Sequence, residues 1–130
     1  MELNVYRKGE VRSNLRALIF AAKQMPAGDF KCGYTYLIAF MCEIYPLNQL
    51  PEHGDGVFVE DIANQIRAGC LACSASIFAQ QTARMDVDFQ SMYKGLHVVA
   101  AAMCASFDID TNELRGALGN STHARISSRR

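Results

Sequence analysis

The chain has 130 residues, half of them hydrophobic, with 13 Lys/Arg balanced by 13 Asp/Glu at zero formal net charge. Such a chain is long and apolar enough to bury a core without disulfides or metals, and wholesale disorder is excluded. Zero net charge also argues against a dedicated nucleic-acid binder, which must neutralise many phosphates.

The charges are segregated. Residues 1–31 hold Arg7, Lys8, Arg12, Arg16, Lys23 and Lys31 against Glu2, Glu10 and Asp29, whereas residues 32–61 hold Glu43, Glu52, Asp55, Glu60 and Asp61 with no Lys or Arg. A folded surface with a basic and an acidic sector is expected. The five cysteines, Cys32, Cys42, Cys70, Cys73 and Cys104, are odd in number, and the first residues lack the apolar core of a secretion signal. They read as small buried hydrophobes in a reducing cytoplasm.

In chain order, residues 2–8 alternate weakly. They predict extended or irregular backbone, which as a single strand would need a second chain to pair with. Gly9 and Glu10 open a first helix with Val11, Leu15, Leu18, Ala22 and Met25 on its apolar face, and Arg12, Arg16 and Lys23 lie off it. Pro26-Ala27-Gly28 stops that helix, and Asp29 is the expected N-cap of the next. The second helix, about Phe30 to Tyr45, has the stripe Leu37, Met41 and Ile44. Pro46 ends it. Residues 46–56 carry two prolines and two glycines and predict a long loop without regular structure.

A third helix starts near Phe58 and extends toward Ala83. Its expected buried side is Phe58, Ile62, Ile66, Cys70, Cys73 and Ile77, widened by Leu71, Ala75 and Phe78, and Glu60 and Asp61 occupy the first turn. The fourth, Leu96–Phe107, is interrupted only by His97 and Ser106. A helix apolar all round is expected at the centre of the fold, and this one is too short to cross a bilayer, which takes roughly 20 such residues. Small residues on both helices predict that the third and fourth form a tightly packed central hairpin. A short fifth helix, Asn112 to Leu118, follows, capped by Thr111 and stopped by Gly119.

Chemistry-bearing patterns are sparse. Cys70-Leu71-Ala72-Cys73 has C-x-x-C spacing, but both thiols fall in mid-helix and no second ligand pair exists, so they read as core. Glu52, His53 and Asp55 bring polar ligand types together in the long loop, where the same composition also makes an ordinary solvated turn. His97 reads as a satisfied core histidine before it reads as a general base. Phosphate-cradling and nucleophile-elbow motifs are absent.

The segment Asp88–Arg125 runs as a helix ending in Phe107-Asp108-Ile109-Asp110, then a short helix, then Ser121-Thr122-His123-Ala124-Arg125. This order resembles the C-terminal third of the all-α nucleotide pyrophosphohydrolases, the MazG-like group, whose members read helix, Gly-Ile-Asp, short helix, Ser-Asn-x-x-Lys. The resemblance implies that Ser121, Thr122 and Arg125 contact nucleotide phosphates. It stops at the chemistry. That family holds Mg²⁺ through paired carboxylates, whereas residues 62–85 contain no Asp or Glu and residues 91–95 read Ser-Met-Tyr-Lys-Gly.

These readings predict one all-α domain over residues 1–119, a four-helix bundle with a short fifth C-terminal helix, and a flexible basic tail over residues 120–130. The expected function is non-catalytic: binding another macromolecule, a protein partner, through Arg7, Lys8, Arg12 and Arg16, with a homodimer also in view and neither cofactor nor metal called for. Charge reversal at Arg12 and Arg16 is then expected to weaken partner binding without loss of fold. The alternative is a nucleotide-binding protein or degenerate pyrophosphohydrolase using Ser121, Thr122 and Arg125.

Overall fold

The computed structural model of the chain describes residues 5–47 and 56–114. Within them the order is β1 (Val5–Arg7), α1 (Lys8–Lys23), α2 (Asp29–Ile44), β2 (Gly56–Phe58), α3 (Val59–Gln80), α4 (Phe89–Ser106) and a 3₁₀ turn at Thr111–Leu114. The protein is mostly helical, as its composition predicts. The short fifth helix expected over Asn112–Leu118 is replaced, as far as the described residues go, by that 3₁₀ turn. The 120–130 tail lies outside the described residues, as do Glu52, His53 and Asp55.

Helix pairing follows from side chains that reach between neighbours. Arg12, early in α1, bonds to Pro46 just past α2, so α1 and α2 run antiparallel. Tyr36, midway along α2, meets Gln80 at the end of α3, and Tyr45, just past α2, meets Gln65 early in α3, so this pair is antiparallel too. Residues 81–88 turn the chain back into α4, which brings Cys104 beside Cys70. The result is an up-down-up-down arrangement in which α2 packs on all three other helices.

The expected central hairpin is therefore corrected: α4 packs most extensively on α2 rather than on α3. Its cause lies in two glycines. A methyl group on Gly33 would overlap the Met92 carbonyl, and one on Gly95 would overlap the Phe30 carbonyl and crowd the Tyr34 nitrogen at 2.7 Å. The two backbones touch where neither carries a side chain. The N-termini of α2 and α4 are also joined, because the Asp88 backbone N–H donates to Asp29 Oδ2 at 2.8 Å. Asp29 was expected to cap its own helix. The N-cap is instead Gly28, and the Asp29 carboxylate serves the neighbouring helix. Asp88 caps α4 by accepting from the Ser91 N–H at 3.2 Å and the Ser91 hydroxyl at 2.8 Å.

The core joins Val11, Leu15 and Ala22 of α1 with Leu37, Ile38 and Met41 of α2. Ile62, Ile66 and Ile77 of α3 and Leu96, Val99 and Met103 of α4 complete it. Two expectations about its edges are overturned. Phe58, Leu71, Ala75 and Phe78 lie on the exposed side of their segment, not the buried one. The Leu96–Phe107 run is not covered all round, since Val98, Ala101 and Ala105 face outward. Apolar side chains occupy that outer face, so periodicity alone could not separate it from the core.

The N-terminal segment is likewise corrected. β1 finds its partner inside the chain, pairing antiparallel with β2 in the register Val5–Phe58, Tyr6–Val57 and Arg7–Gly56. The loop expected over residues 46–56 therefore gives up Gly56 to the strand.

Gly33→Ala and Gly95→Ala should each destabilise the fold by about 2 kcal/mol or more, because backbone cannot move aside as a flexible side chain can. Urea unfolding of the two variants against the wild type measures it.

Candidate functional site

The basic sector begins on β1 and α1, and the structure divides its four expected contact residues. Arg7 closes β1 and Lys8 opens α1. Arg12 is 2% exposed, and its Nε donates to the Pro46 carbonyl at 3.0 Å. Arg16 is exposed, and its Nη2 donates to the Leu47 carbonyl at 2.6 Å. Both guanidinium groups thus serve the end of α2, where helix carbonyls run out of intrahelical donors. Arg12 is a buried strut, and the expectation that it can be reversed in charge without loss of fold is corrected. Ser121, Thr122 and Arg125 lie outside the described residues.

Among the exposed residues of α1, which also include Glu10, Ser13 and Ala17, three stand in a row at helical spacing: Arg16, Phe20 and Lys23. Residues four and then three apart stand above one another on one helix face. Phe20 is 67% exposed, a large aromatic side chain whose position on the helix lies between those of two cations. It was missed as a surface residue, although the signal was present. Positions 16, 20 and 23 fall on the side of the helix away from Val11, Leu15 and Ala22. An aromatic among cations there has no core to join.

Of the acidic run, the described residues place Glu43 near the end of α2 and Glu60 and Asp61 in the first turn of α3, whose start the β1–β2 ribbon sets beside the start of α1.

Of the five cysteines expected to be buried, three are, whereas Cys32 and Cys42 are half-buried at the edge of the core. Cys70, Cys73 and Cys104 are buried and unpaired by disulfides. Burial first, and then the neighbouring thiols Cys73 and Cys104, pushes the Cys70 thiol up to about 12, and burial pushes Cys73 up to about 11. Thiols in that range stay protonated at neutral pH and are poor nucleophiles and ligands. Among the described residues, no group of three or more His, Cys, Asp or Glu could hold a metal ion. His97 is half-buried on α4.

Two concavities lie among the described residues. One, about 200 Å³, is an open apolar groove between α2 and α3, with Phe40, Ala72 and Cys73 in its walls and Glu43 at its edge. The other, about 530 Å³, lies between the α1–α2 turn and the start of α4, where Asp29 and Asp88 meet. Both carboxylates there are committed to backbone and Ser91 hydrogen bonds. No helix of the described residues is long and apolar enough to cross a membrane. No protein-family model, curated protein or solved structure matches the chain.

Two outcomes are expected. Arg12→Glu should cost roughly 3 kcal/mol or more, since it buries an unpaired anion beside the Pro46 carbonyl, whereas Arg16→Glu should cost less than about 1 kcal/mol; chemical denaturation reads both. The Cys70 and Cys73 pKa values are raised on folding, so their contribution is complete below the ordinary thiol value of 9.0 and is lost as pH rises through 11 and 12. Between pH 8 and pH 10 unfolding free energy should fall by on the order of 1 kcal/mol per thiol, measured by urea titration at each pH.

Proposed function

We propose that this protein acts by binding another protein through the outer face of α1, without chemistry of its own. The observation that carries this reading is Phe20, two-thirds exposed between Arg16 and Lys23. Aromatic and arginine side chains together dominate the energetics of protein interfaces. An exposed ring costs hydration free energy that only a partner can recover. The flanking cations select an acidic surface and speed its encounter. The partner this face fits therefore has an apolar recess rimmed by Asp and Glu. Arg7 and Lys8 extend the basic stretch toward the ribbon, while Arg12 supports it from inside.

A second reading, nucleotide binding, is favoured by one backbone detail. Asp108 adopts φ 55 at the place where the pyrophosphohydrolase pattern has its glycine. That conformation is the one glycine adopts without penalty, and the turn it makes returns the Ile109 N–H to the Cys104 carbonyl at 2.9 Å. On this reading Ser121, Thr122 and Arg125 hold phosphates.

A photo-crosslinking residue at Phe20 should capture one protein in cells. Binding of that protein should weaken at least roughly tenfold with Phe20→Ala or Arg16→Glu, both of which should leave the fold intact. Capture of many proteins at equal yield, or unchanged affinity in both variants, would overturn the reading. A thermal-shift panel of nucleotides with and without Mg²⁺ tests the alternative. A rise in melting temperature that disappears on truncation after Gly119 would replace the first reading with the second.

A further inference from the structure

The two helices that form the α2–α3 groove close on each other at Gly69, where a methyl group would stand 2.5 Å from Leu37 Cδ1 and 2.8 Å from Phe40 Cδ1. One turn further along α3, Ala72, Cys73 and Ser76 carry only small side chains, and the opening of about 200 Å³ lies against them. The α2 wall differs in kind. Tyr36, Phe40 and Glu43 line it at steps of four and three, so two aromatic rings and a carboxylate stand in one row along the helix.

The groove is negative at one end. Glu43 is exposed and makes no hydrogen bond or ion pair among the described residues. No Lys or Arg occurs from Cys32 to Ile66. Asp61 lies close enough to Tyr45, just past α2, to act on its hydroxyl, which brings a second carboxylate to the end of α2 that carries Glu43. At the other end Arg84 acts on Tyr36, and its own charge is met by Asp86 at 3.5 Å. The Tyr36 hydroxyl is also engaged there, accepting from Gln80 Nε2 at 3.1 Å.

We propose that this groove is a binding site for a small organic ammonium ion, an amine whose apolar body is about one ring in size. The apolar body lies against Ala72 and Cys73, the Phe40 and Tyr36 rings flank it, and Glu43 pairs with the ammonium group. A cation is attracted to an aromatic face by the negative side of the ring quadrupole, so aromatic walls beside a carboxylate suit alkylammonium groups. Size agrees with this. A cavity of about 150 Å³ accepts benzene, whereas drug-sized ligands need roughly 300 Å³ or more. The row from Tyr36 to Glu43 spans about 10 Å, the length of one such molecule and far less than an interface of roughly 800 Å² a side requires. Charge then selects among molecules of that size. An anion is repelled by Glu43, a neutral molecule forgoes the pairing, and the ammonium ion gains both the carboxylate and the rings.

Heteronuclear NMR titration of the intact chain with 2-phenylethylammonium, 2-phenylethanol and phenylacetate reads the site. The ammonium ion should shift the amide signals of Phe40, Glu43 and Ala72 and bind with a Kd of about 1 mM, roughly fivefold tighter than the alcohol. Phenylacetate should bind more weakly than the alcohol. Glu43→Gln changes an exposed side chain without a partner, and should bring the ammonium ion and the alcohol to equal affinity. Ala72→Phe fills the groove, and should abolish binding of both with an unchanged helical circular-dichroism spectrum. Equal binding of the ammonium ion and the alcohol to the wild type, or a preference kept in Glu43→Gln, overturns the proposal. So do wild-type binding by Ala72→Phe and the absence of shifts at those three residues at about 20 mM ammonium ion.

Discussion

The fold depends on the contact of two backbones. Where α2 crosses α4, Gly33 and Gly95 remove the side chains that would otherwise hold the helices apart. Close approach then lets Leu37, Ile38 and Met41 meet the buried face of α4, and dispersion between well-packed side chains accumulates with every contact. Glycine within a helix costs about 1 kcal/mol relative to alanine, a penalty repaid here only by what the approach allows. The carboxylate of Asp29, accepting from the Asp88 N–H at the start of α4, joins the two N-termini. Once α2 and α4 are set, α1 and α3 have defined positions on either side of α2.

A second constraint ties the beginning of the chain to its middle. Arg12 and Arg16 hold the carbonyls of Pro46 and Leu47, and β1 pairs with β2 at Gly56–Phe58. Both ends of the segment between α2 and β2 are thereby fastened to the N-terminal element. The same contacts change the meaning of the basic sector. Two of its cations spend hydrogen bonds on backbone carbonyls, one of them buried. What α1 offers outward is narrower and more specific: one aromatic ring with a cation on each side.

The sequence by itself determined the helical class, the approximate limits of the first three helices and the end of the fourth, which begins at Phe89, two turns before the expected Leu96, and most of the core. Val11, Leu15, Leu37, Met41, Ile62, Ile66 and Ile77 are legible because burial repeats at the period of the helix. The inert character of Cys70 and Cys73 was legible for the same reason, as mid-helix thiols in apolar stretches.

The tertiary structure alone decided which helices meet, and therefore which apolar residues stay outside. Gly33 is the place where another helix enters, which nothing in its local sequence marks. Leu71, Phe78 and Val98 looked like core and are surface, because hydrophobicity states what a residue would gain from burial and not whether a neighbour is there to bury it. Arg12 looked like surface and is core, because its acceptor, the Pro46 carbonyl, is distant in sequence and comes within reach only when α1 folds back on α2. β1 lacked a partner until β2 arrived from beyond α2. Local periodicity carries information across a few turns. Pairing between distant segments is set by shape and by hydrogen-bond complementarity, which exist only once the chain has folded.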